Sequence, residues 1–343
     1  MSDNKIRFGV VGLGHIGKRH AEMISRHPSC ELVAVCDIQT PEKLQLPNHI
    51  QAPHYQSLFE MLQAHPEMDV LNVCTPNGLH AEHSLMALEH KKHVVCEKPM
   101  ALSKSDCEKI IYKALQVSRH VFVVMQNRYS PPTAWLKEIV EHKIIGDIYL
   151  MQMNCYWNRD ERYYKPGGWH GTAALDGGTL FTQFSHFIDI MYWVFGDIAD
   201  IHARFANFNH QQLTEFEDSG TVNFSFVNGG IGILNYSTSV WDKNMESSLT
   251  VIGSKGSLKI GGQYMDKVEY CHIKDYTLPE LAPTNPSNDY GAYKGSANNH
   301  PQVIQNVVDT LRGLKEPKTN AMEGLKVVEI IERIYELKKS DQL

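Results

Sequence analysis

The first 125 residues alternate between short apolar runs and amphipathic segments, and this alternation limits the fold more than any other feature of the chain. A run that is apolar throughout, rather than at every second position, is typical of a strand buried on both faces. Strands of this kind, each followed by a helix, form a parallel sheet with helices on both sides. The predicted strands span residues 5–11, 31–37, 68–74, 93–96 and 120–125, and the predicted helices span 15–27, 57–64, 79–90 and 103–118.

The pattern changes after residue 125, which divides the chain into two predicted domains, 1–125 and 126–343. One compact core rarely grows to 343 residues, so two domains are expected. Strands now follow one another without helices, and turns at Asn228-Gly229 and Ser254-Lys255-Gly256 favour antiparallel pairing. The predicted helices here span 131–142, 177–195, 298–312 and 322–338, the strands 147–156, 198–208, 219–226, 230–239, 247–252 and 256–260, and the long loops 157–175 and 278–296. The chain is therefore assigned to the α/β class.

A glycine-rich turn, Gly12-Leu13-Gly14-His15-Ile16-Gly17, joins the first strand to the first helix. Glycines are needed there for a tight turn, for close approach of a pyrophosphate to the backbone, and for packing of the helix on the sheet. The helix N-terminus attracts the phosphates. Such a motif alone is weak evidence, but its position in a strand-helix-strand unit predicts a Rossmann domain that binds a dinucleotide.

The acidic residue expected about twenty positions after the glycines is Asp37, at the end of the second strand. Its carboxylate can accept hydrogen bonds from ribose hydroxyls and would repel a 2′-phosphate, and the next residue, Ile38, carries no charge. The motif therefore predicts NAD rather than NADP. The alternative is a solvent-exposed turn residue. Thr75-Pro76-Asn77 closes a later strand at the same sheet edge, where ligands of this fold bind.

Glu97-Lys98-Pro99 directly follows another strand at that edge. A single lysine is usually a solvated surface charge. At a strand end beside a nicotinamide, however, Lys98 could stabilise an alkoxide while hydride leaves a hydroxyl-bearing carbon. We therefore predict that Lys98 is catalytic. Pro99 fixes the local backbone and is a candidate for a cis peptide bond.

Composition excludes several classes of function. The net charge is −6 and no concentrated basic face is visible, so no nucleic-acid partner is expected. No apolar run is long enough for a membrane span, and no secretory signal begins the chain. The seven scattered cysteines suggest reduced thiols in a cytoplasmic protein. No cysteine-histidine cluster has the spacing of zinc ligands, so no metal is expected.

Several motifs together resemble the Gfo/Idh/MocA oxidoreductases over essentially the whole chain. They are the glycine turn, Cys74-Thr75-Pro76-Asn77 with His80, Glu97-Lys98-Pro99, and Asp176-Gly177-Gly178 with His186 and Asp189. The resemblance implies a sugar or polyol substrate and a C-terminal open mixed sheet whose exposed face packs against another subunit. Segments 221–226 and 231–234 would place apolar side chains on both faces of that sheet, which predicts a homodimer or homotetramer. The cofactor contacts that we predict are Gly12, Gly14, His15, Ile16, Asp37, Thr75, Pro76, Asn77, His80, Glu97 and Lys98.

This chain departs from the family at one catalytic position. The family often has Asp-x-x-x-His after the two glycines, and here Thr182 stands where the aspartate would be. A base role would then fall on His186 with Lys98, and Thr182 could only orient a partner. Thr182 and Gln183 are four and three residues from His186, so on one helix all three would face one pocket. The alternative for His186 is a core histidine, and Asp189 is expected to stabilise the fold.

The loop 157–175 is rich in aromatic and cationic residues, which suit either a sugar nucleotide or a polar surface with anchoring aromatics. The residue sequence of this loop is similar to that of one branch of the family, and so are Asn127-Arg128-Tyr129 and Ser296-Ala297-Asn298-Asn299-His300. That branch oxidises UDP-N-acetylglucosaminuronate at carbon 3 for lipopolysaccharide (O-antigen) sugars. The predicted substrate contacts are Arg128, Arg159, Tyr163, Tyr164, Trp169, Gln183, His186 and His300.

Two alternatives stay open. The first is another dehydrogenase of the family that acts on inositol or a free sugar, although such a substrate has no diphosphate for the cationic loop to bind. The second is a non-catalytic sensor of NAD(H), which would not need both Lys98 and His186.

Overall fold

The computed structural model describes residues 5–48, 50–289 and 294–340. The strands in chain order are β1 (Ile6–Val11), β2 (Cys30–Cys36), β3 (His54–Tyr55), β4 (Val70–Val73), β5 (His93–Cys96), β6 (Val121–Val123), β7 (Ile148–Tyr156), β8 (Ile198–Ala206), β9 (Ser219–Phe226), β10 (Ile231–Ser237), β11 (Glu246–Gly253), β12 (Gly256–Gly261), β13 (Lys267–Ile273), β14 (Ser287–Asp289) and β15 (Lys294–Ala297). The helices are α1 (His15–Arg26), α2 (Pro41–Leu44), α3 (Leu58–Ala64), α4 (His80–Glu89), α5 (Lys104–Val117), α6 (Pro131–Glu141), α7 (Thr179–Thr182), α8 (Ser185–Phe195), α9 (His300–Leu311) and α10 (Ala321–Ser340).

The apolar runs of the first unit form a six-stranded sheet in the order β3-β2-β1-β4-β5-β6, with every pair parallel. This confirms the predicted parallel sheet. Strand β3 was not predicted, because two residues are too few for a hydrophobic pattern to identify. The strand order reverses between β1 and β4, so the carboxyl ends of these strands border the crevice where this fold binds ligands.

The boundary between the two units differs from the predicted one. The first unit holds the described residues up to Met125 together with His300–Val328, and the second holds Gln126–Asn299 and the described residues from Glu329. We predicted that everything after residue 125 belongs to one domain. Helix α9 instead packs on α1, and Val123 N–H donates to Thr319 O at 3.3 Å, so this late segment covers the first sheet.

The second unit contains a seven-stranded sheet in the order β13-β12-β11-β7-β10-β9-β8. Strands β7 and β10 pair in parallel and the remaining neighbours are antiparallel. This confirms the open, mainly antiparallel mixed sheet. The predicted loop 278–296 contains the short pair β14 and β15, and its residues 290–293 lie outside the described part of the chain.

The two faces of this sheet differ along strand β9. Val222, Phe224 and Phe226 of β9 are buried, whereas Thr221 and Asn223 between them are exposed. The buried face packs on helix α8, whose Phe195 ring lies 5.3 Å from that of Phe226. The outward face is therefore largely polar along β9. Across β11, β7 and β10, however, it carries an apolar row formed by Ile252, Leu150 and Ile231, which are register partners.

The predicted helix 177–195 is two helices in the structure. Helix α7 ends at Thr182 and α8 begins at Ser185, with Phe184 at φ −118° and ψ 5° between them. Helical spacing therefore does not by itself place Thr182 and Gln183 on one face with His186.

Two further findings concern membrane spans and disulfides. Within the described ranges, no helix is both long and apolar enough to cross a membrane. All seven cysteines lie within the described residues, and none is in a disulfide.

Candidate functional site

The three glycines of the turn after β1 each meet a different requirement. Gly12 has φ +84°, and a Cβ there would lie 2.6 Å from Cys74 O, because the carboxyl ends of β1 and β4 touch. A Cβ on Gly17 would lie 1.7 Å from Gly12 O, so only glycine allows α1 to pack this closely. Gly14 is exposed and has no described atom within 4 Å of its Cβ position. It therefore leaves room for a ligand at the N-terminus of α1.

Asp37 holds this turn in place. Its Oδ2 accepts a hydrogen bond from Leu13 N–H at 2.7 Å, and its Oδ1 accepts one from Gln39 N–H at 2.9 Å. The side chain is half-buried and Ile38 beside it is 83% exposed. The carboxylate oxygens keep lone pairs that could accept from ribose hydroxyls.

His80 joins two turns at the same sheet edge. Its Nε2 lies 2.8 Å from Thr75 O and its Nδ1 lies 2.7 Å from Pro99 O, and the ring is buried. Burial lowers the pKa of His80, although both carbonyls oppose that shift. A neutral imidazole has one N–H, so it donates to one of these carbonyls at a time. His80 is therefore a buried residue that links the turns after β4 and β5. Thr75 and Pro76 at the same sheet edge are half-buried and so more accessible to a ligand.

Lys98 follows β5 in a turn with a cis peptide bond to Pro99 and is half-buried. Glu97 before it turns inward and is 6% exposed. Its Oε1 lies 2.9 Å from His20 Nε2 and 3.6 Å from His300 Nε2, and its Oε2 accepts from Lys98 N–H at 3.3 Å. Burial raises the pKa of Glu97, but hydrogen bonds from His20 and His300 outweigh it and hold that pKa well below its usual value.

This arrangement does not support two of the predicted contacts. His300 was predicted to bind the substrate, yet it lies in the first unit, is 2% exposed and faces Glu97. Burial lowers the pKa of His300 and keeps the ring neutral. Glu97 was predicted to contact the cofactor, but its carboxylate is directed at the two histidines.

The residues present fit a dinucleotide. The open position at Gly14, the positive φ of Gly12 and the carboxylate of Asp37 supply the phosphate cradle and the ribose acceptor that such a cofactor needs. Exposed His15 and half-buried Ile16 begin the helix at this cradle.

In the second unit, three predicted substrate residues form one hydrogen-bonded chain. Arg159 Nε donates to Gln183 Oε1 at 2.7 Å, and Gln183 Nε2 donates to Tyr163 Oη at 2.8 Å. The guanidinium also stacks over Trp157 and Tyr163, 4.9 and 5.2 Å from the ring centroids. All of these side chains are buried. The chain fixes a cation and an aromatic ring together, which suits an anionic, ring-containing ligand.

The other aromatic residues of the loop divide by exposure. Tyr164 is 3% exposed, and its ring lies 4.9 Å from that of Tyr163, so it packs within the unit. Trp169 is half-buried and stacks on His170 at 3.9 Å. Trp169 is therefore more accessible to a ligand than Tyr164 is.

Arg128 was predicted to bind the substrate, and the structure gives it a different partner. Its Nε and Nη2 donate to Asp189 Oδ2 and Oδ1 at 2.9 and 2.6 Å, and both side chains are almost completely buried. The guanidinium also lies 5.1 Å from the Trp193 ring centroid. This bidentate ion pair is a core contact. It agrees with the expected structural role of Asp189 and does not support a substrate role for Arg128.

Thr182 lies against a carboxylate that sequence reasoning did not use. Its Oγ1 donates a short hydrogen bond to Asp176 Oδ1 and lies 3.0 Å from Asp176 O, while Asp176 Oδ2 accepts from Gly171 N–H at 2.8 Å. His186 lies in the first turn of α8 and is 4% exposed.

The sequence analysis missed His20 and Asn72, and it named Asp176 only as part of a motif, without a role. His20 lies three residues after the last glycine of the motif on the buried face of α1, and Asp176 directly precedes two glycines. A polar residue on a buried helix face is a usable signal, because burial without a partner is costly. The asparagine within the apolar strand β4 is the same kind of signal.

Comparisons with known proteins agree with this geometry. A family model described as "Oxidoreductase family, NAD-binding Rossmann fold" matches residues 6–125, and a "GFO/IDH/MocA C-terminal domain" matches residues 133–259. The myo-inositol 2-dehydrogenase of Thermotoga maritima is 26% identical over 270 residues, or 74% of each chain.

Two solved structures are similar over nearly the whole chain. The WlbA dehydrogenase from Chromobacterium violaceum, in complex with NADH and UDP-GlcNAcA, is 32% identical, with a TM-score of 0.88 over 99% of this chain and 96% of that one. The WlbA dehydrogenase from Bordetella pertussis, with the same two ligands, is 30% identical, with a TM-score of 0.85 over 98% of each chain.

The chain therefore belongs to the Gfo/Idh/MocA family and is an NAD-dependent oxidoreductase that acts on hydroxyl groups of sugars or polyols.

Proposed function

We propose that this enzyme oxidises UDP-N-acetylglucosaminuronate at the hydroxyl of the sugar's carbon 3, in the synthesis of lipopolysaccharide sugars. The observation that carries the proposal is the similarity, over nearly the full length of both chains, to two dehydrogenases solved with NADH and UDP-GlcNAcA. Similarity of this extent covers the substrate unit as well as the cofactor unit.

The chemistry of the second unit supports an anionic substrate. UDP-N-acetylglucosaminuronate carries a diphosphate and a carboxylate, and a buried arginine is well suited to bind such groups. Arg159 donates to Gln183 Oε1 and Asn244 Oδ1, and its guanidinium stacks over the rings of Trp157 and Tyr163. Arg162 is exposed and pairs with Asp160 at 2.7 Å, so it is a weaker candidate for binding the substrate. Trp169 provides a ring on which uracil or the sugar can stack.

The reaction removes two hydrogens from the CH–OH group at carbon 3 of the sugar. The carbon-bound hydrogen leaves as hydride, the hydroxyl hydrogen leaves as a proton, and a ketone forms. NAD, when bound, supplies the hydride acceptor. We propose that Lys98 places positive charge beside the developing alkoxide and that His186 accepts the proton. Thr182 has no basic group near neutral pH, so its proposed role is to orient a partner.

The reaction is proposed to take place in the cytoplasm. None of the seven cysteines is in a disulfide, which suits a reducing compartment.

A substrate panel tests the proposal. Purified protein and NAD are mixed with UDP-N-acetylglucosaminuronate, UDP-N-acetylglucosamine, free N-acetylglucosaminuronate and myo-inositol, and NADH formation is followed optically. We expect the highest kcat/KM with the first compound. UDP-N-acetylglucosamine lacks the carboxylate and the free uronate lacks the nucleotide, so each control isolates one anionic group. Calorimetric binding to the NADH complex is measured in parallel.

The same panel separates the alternatives. Oxidation of myo-inositol without response to the nucleotide sugar would favour a free-polyol dehydrogenase, which the Thermotoga maritima relative makes the second candidate. Tight NADH binding without turnover of any compound would favour the sensor.

A further inference from the structure

A buried cluster that includes the residue directly before Lys98 has no role in the proposed chemistry. It consists of Glu97, His20 and His300, whose ligand-type atoms all lie within 4.8 Å of one another. All three side chains are in the first unit and are almost fully buried. The cluster therefore neither meets solvent nor forms part of the glycine turn.

The cluster ties the end of β5 to two helices. His20 comes from the middle of α1 and His300 from the start of α9, and their rings meet edge to face with centroids 5.8 Å apart. Glu97 Oε1 faces both rings, so the cluster links the residue that directly precedes Lys98 to both helices.

The contact between Asn72 and His20 determines which nitrogen of His20 donates to Glu97. Asn72 Nδ2 lies 2.7 Å from His20 Nδ1, and an amide N–H can only donate. The His20 Nδ1 therefore accepts, and its Nε2–H donates to Glu97 Oε1. His300 Nδ1 has no hydrogen-bond partner in the part of the chain that the structure describes, so its Nε2 makes the ring's polar contact.

The charge state is consistent with a hydrogen-bonded anchor. The pKa of Glu97 is held well below its usual range, so this carboxylate is ionised at neutral pH, and burial lowers the pKa of His300. The buried carboxylate accepts hydrogen bonds from His20 Nε2 and Lys98 N–H, and His300 Nε2 lies 3.6 Å from Oε1, so polar groups on three sides define its position.

We infer that His20 and His300 are positioning residues that act through Glu97 to hold the turn carrying Lys98. This inference rests on the proposed catalytic role of Lys98 and goes beyond it, because neither histidine touches the substrate in this scheme. A reacting group that is misplaced by about 1 Å can cost about a hundredfold in rate, so an anchor of this kind would be expressed in kcat.

The test compares His300→Gln with His300→Asn. The amide nitrogen of glutamine falls near Nε2 and can still donate to Glu97, whereas that of asparagine falls near Nδ1 and cannot reach it. On any panel compound that the wild type oxidises, we expect His300→Asn and Glu97→Gln to lower kcat, by up to about a hundredfold. We expect His300→Gln to recover most of that loss. KM and the NADH dissociation constant should change little.

The matched control is His27→Asn. His27 directly follows α1, its Nε2 lies 3.0 Å from Gln305 Oε1 of α9, and the contact is exposed, so its loss breaks a contact between the same two segments without touching Glu97. We expect wild-type kcat. If His27→Asn and His300→Asn lower kcat and the melting temperature equally, the cluster is only part of the fold and the inference is wrong.

The NMR resonance of Lys98 gives a second test of the inference that does not require turnover. Lysines are reductively methylated with ¹³C-formaldehyde, and the Lys98 resonance is assigned by its loss in Lys98→Arg. We expect His300→Asn and Glu97→Gln to shift this resonance and His300→Gln and His27→Asn to leave it unchanged. An unshifted resonance in all variants would overturn the inference. This holds even if no panel compound is oxidised, which would by itself contradict only the proposed function. Stoichiometric zinc in the purified protein that is lost in His20→Asn would make the cluster a metal site and would also overturn it.

Discussion

The Thr182 hydroxyl donates a hydrogen bond to the carboxylate of Asp176, six residues earlier in the chain. The family pattern often has an aspartate where this chain has Thr182. In this chain a carboxylate still lies near that position, but Asp176 of the preceding turn supplies it. The same carboxylate accepts from Gly171 N–H, and it is buried. Asp176 can therefore fix the Thr182 hydroxyl without itself being the base.

This relationship gives an order of effects among catalytic variants. Loss of a positioned acid-base group typically costs about a hundredfold to ten-thousandfold in rate. Lys98→Met and His186→Asn should each lower kcat by at least the smaller factor and leave NADH affinity nearly unchanged. Thr182→Ala should do less. Turnover of the three variants on one accepted substrate, with NADH binding alongside, checks the order. A Thr182→Ala variant more damaging than His186→Asn would place the proton path elsewhere.

Cofactor preference depends on Asp37, and the structure indicates which variant tests it cleanly. Asp37→Ala removes both the charge that repels a 2′-phosphate and the acceptor for Leu13 N–H, so it should also loosen the glycine turn. Asp37→Asn keeps an oxygen at that position. We expect the wild type to bind NADH more tightly than NADPH, and Asp37→Asn to narrow the difference with a smaller loss of NADH affinity than Asp37→Ala. Comparable affinities for the two cofactors in the wild type would refute the assignment.

Assembly is proposed to use the outward face of the seven-stranded sheet. Its apolar row contains Ile231, which is 53% exposed, and Ile252, which is 41% exposed, on either side of Leu150. Covering such a row with a second copy removes apolar surface from water. We expect a dimer or tetramer by light scattering at micromolar concentration, and dissociation in Ile231→Lys. Asn223→Lys, on the polar part of the same face, is the comparison variant and should weaken assembly less. A monomeric wild type would contradict the proposal.

Stability should fall on mild acidification in part because of His93. Burial lowers the pKa of His93 to about 4, and its Nδ1 accepts from His120 N–H at 3.0 Å, which requires an unprotonated nitrogen. The unfolded chain takes up a proton near pH 6.5, whereas the folded chain does so only near 4. The free energy of unfolding therefore decreases as the pH falls from about 6.5 towards 4.

His93→Asn isolates this contribution, because its side-chain oxygen can still accept from His120 N–H. Denaturant unfolding at several pH values should show a shallower decrease for the variant, by up to one proton in the slope. Equal slopes, or a His93 titration near its ordinary value by NMR, would contradict the assignment.

Much of the first unit could be predicted because its signals are local. Strands buried on both faces appear as continuous apolar runs, and the glycines report their own steric requirements, as Gly12 and Gly17 show. What could not be predicted depended on contacts between distant segments. His300 was assigned to the substrate because its neighbours resemble a motif, but the position of α9 against α1 brings it to Glu97.

The second unit shows the same limit for charged residues. Arg128 and Arg159 are equally suitable substrate contacts in the sequence, and only the fold shows that Arg128 is paired with Asp189 and that Arg159 donates to Gln183. Periodicity also extended one helix through Gln183 and Phe184, where the chain breaks into α7 and α8. Hydrophobic pattern does not report such a break, because both helices are buried.

The central claim is oxidation at carbon 3 of UDP-N-acetylglucosaminuronate by hydride transfer to NAD. The most direct test uses this substrate with deuterium at carbon 3, and mass spectrometry of the nicotinamide and sugar products of a single turnover. We predict that the deuterium is found in the reduced nicotinamide and that the sugar product has lost it as a 3-ketone. Reduced nicotinamide without deuterium, or a sugar that keeps its deuterium, would contradict the account.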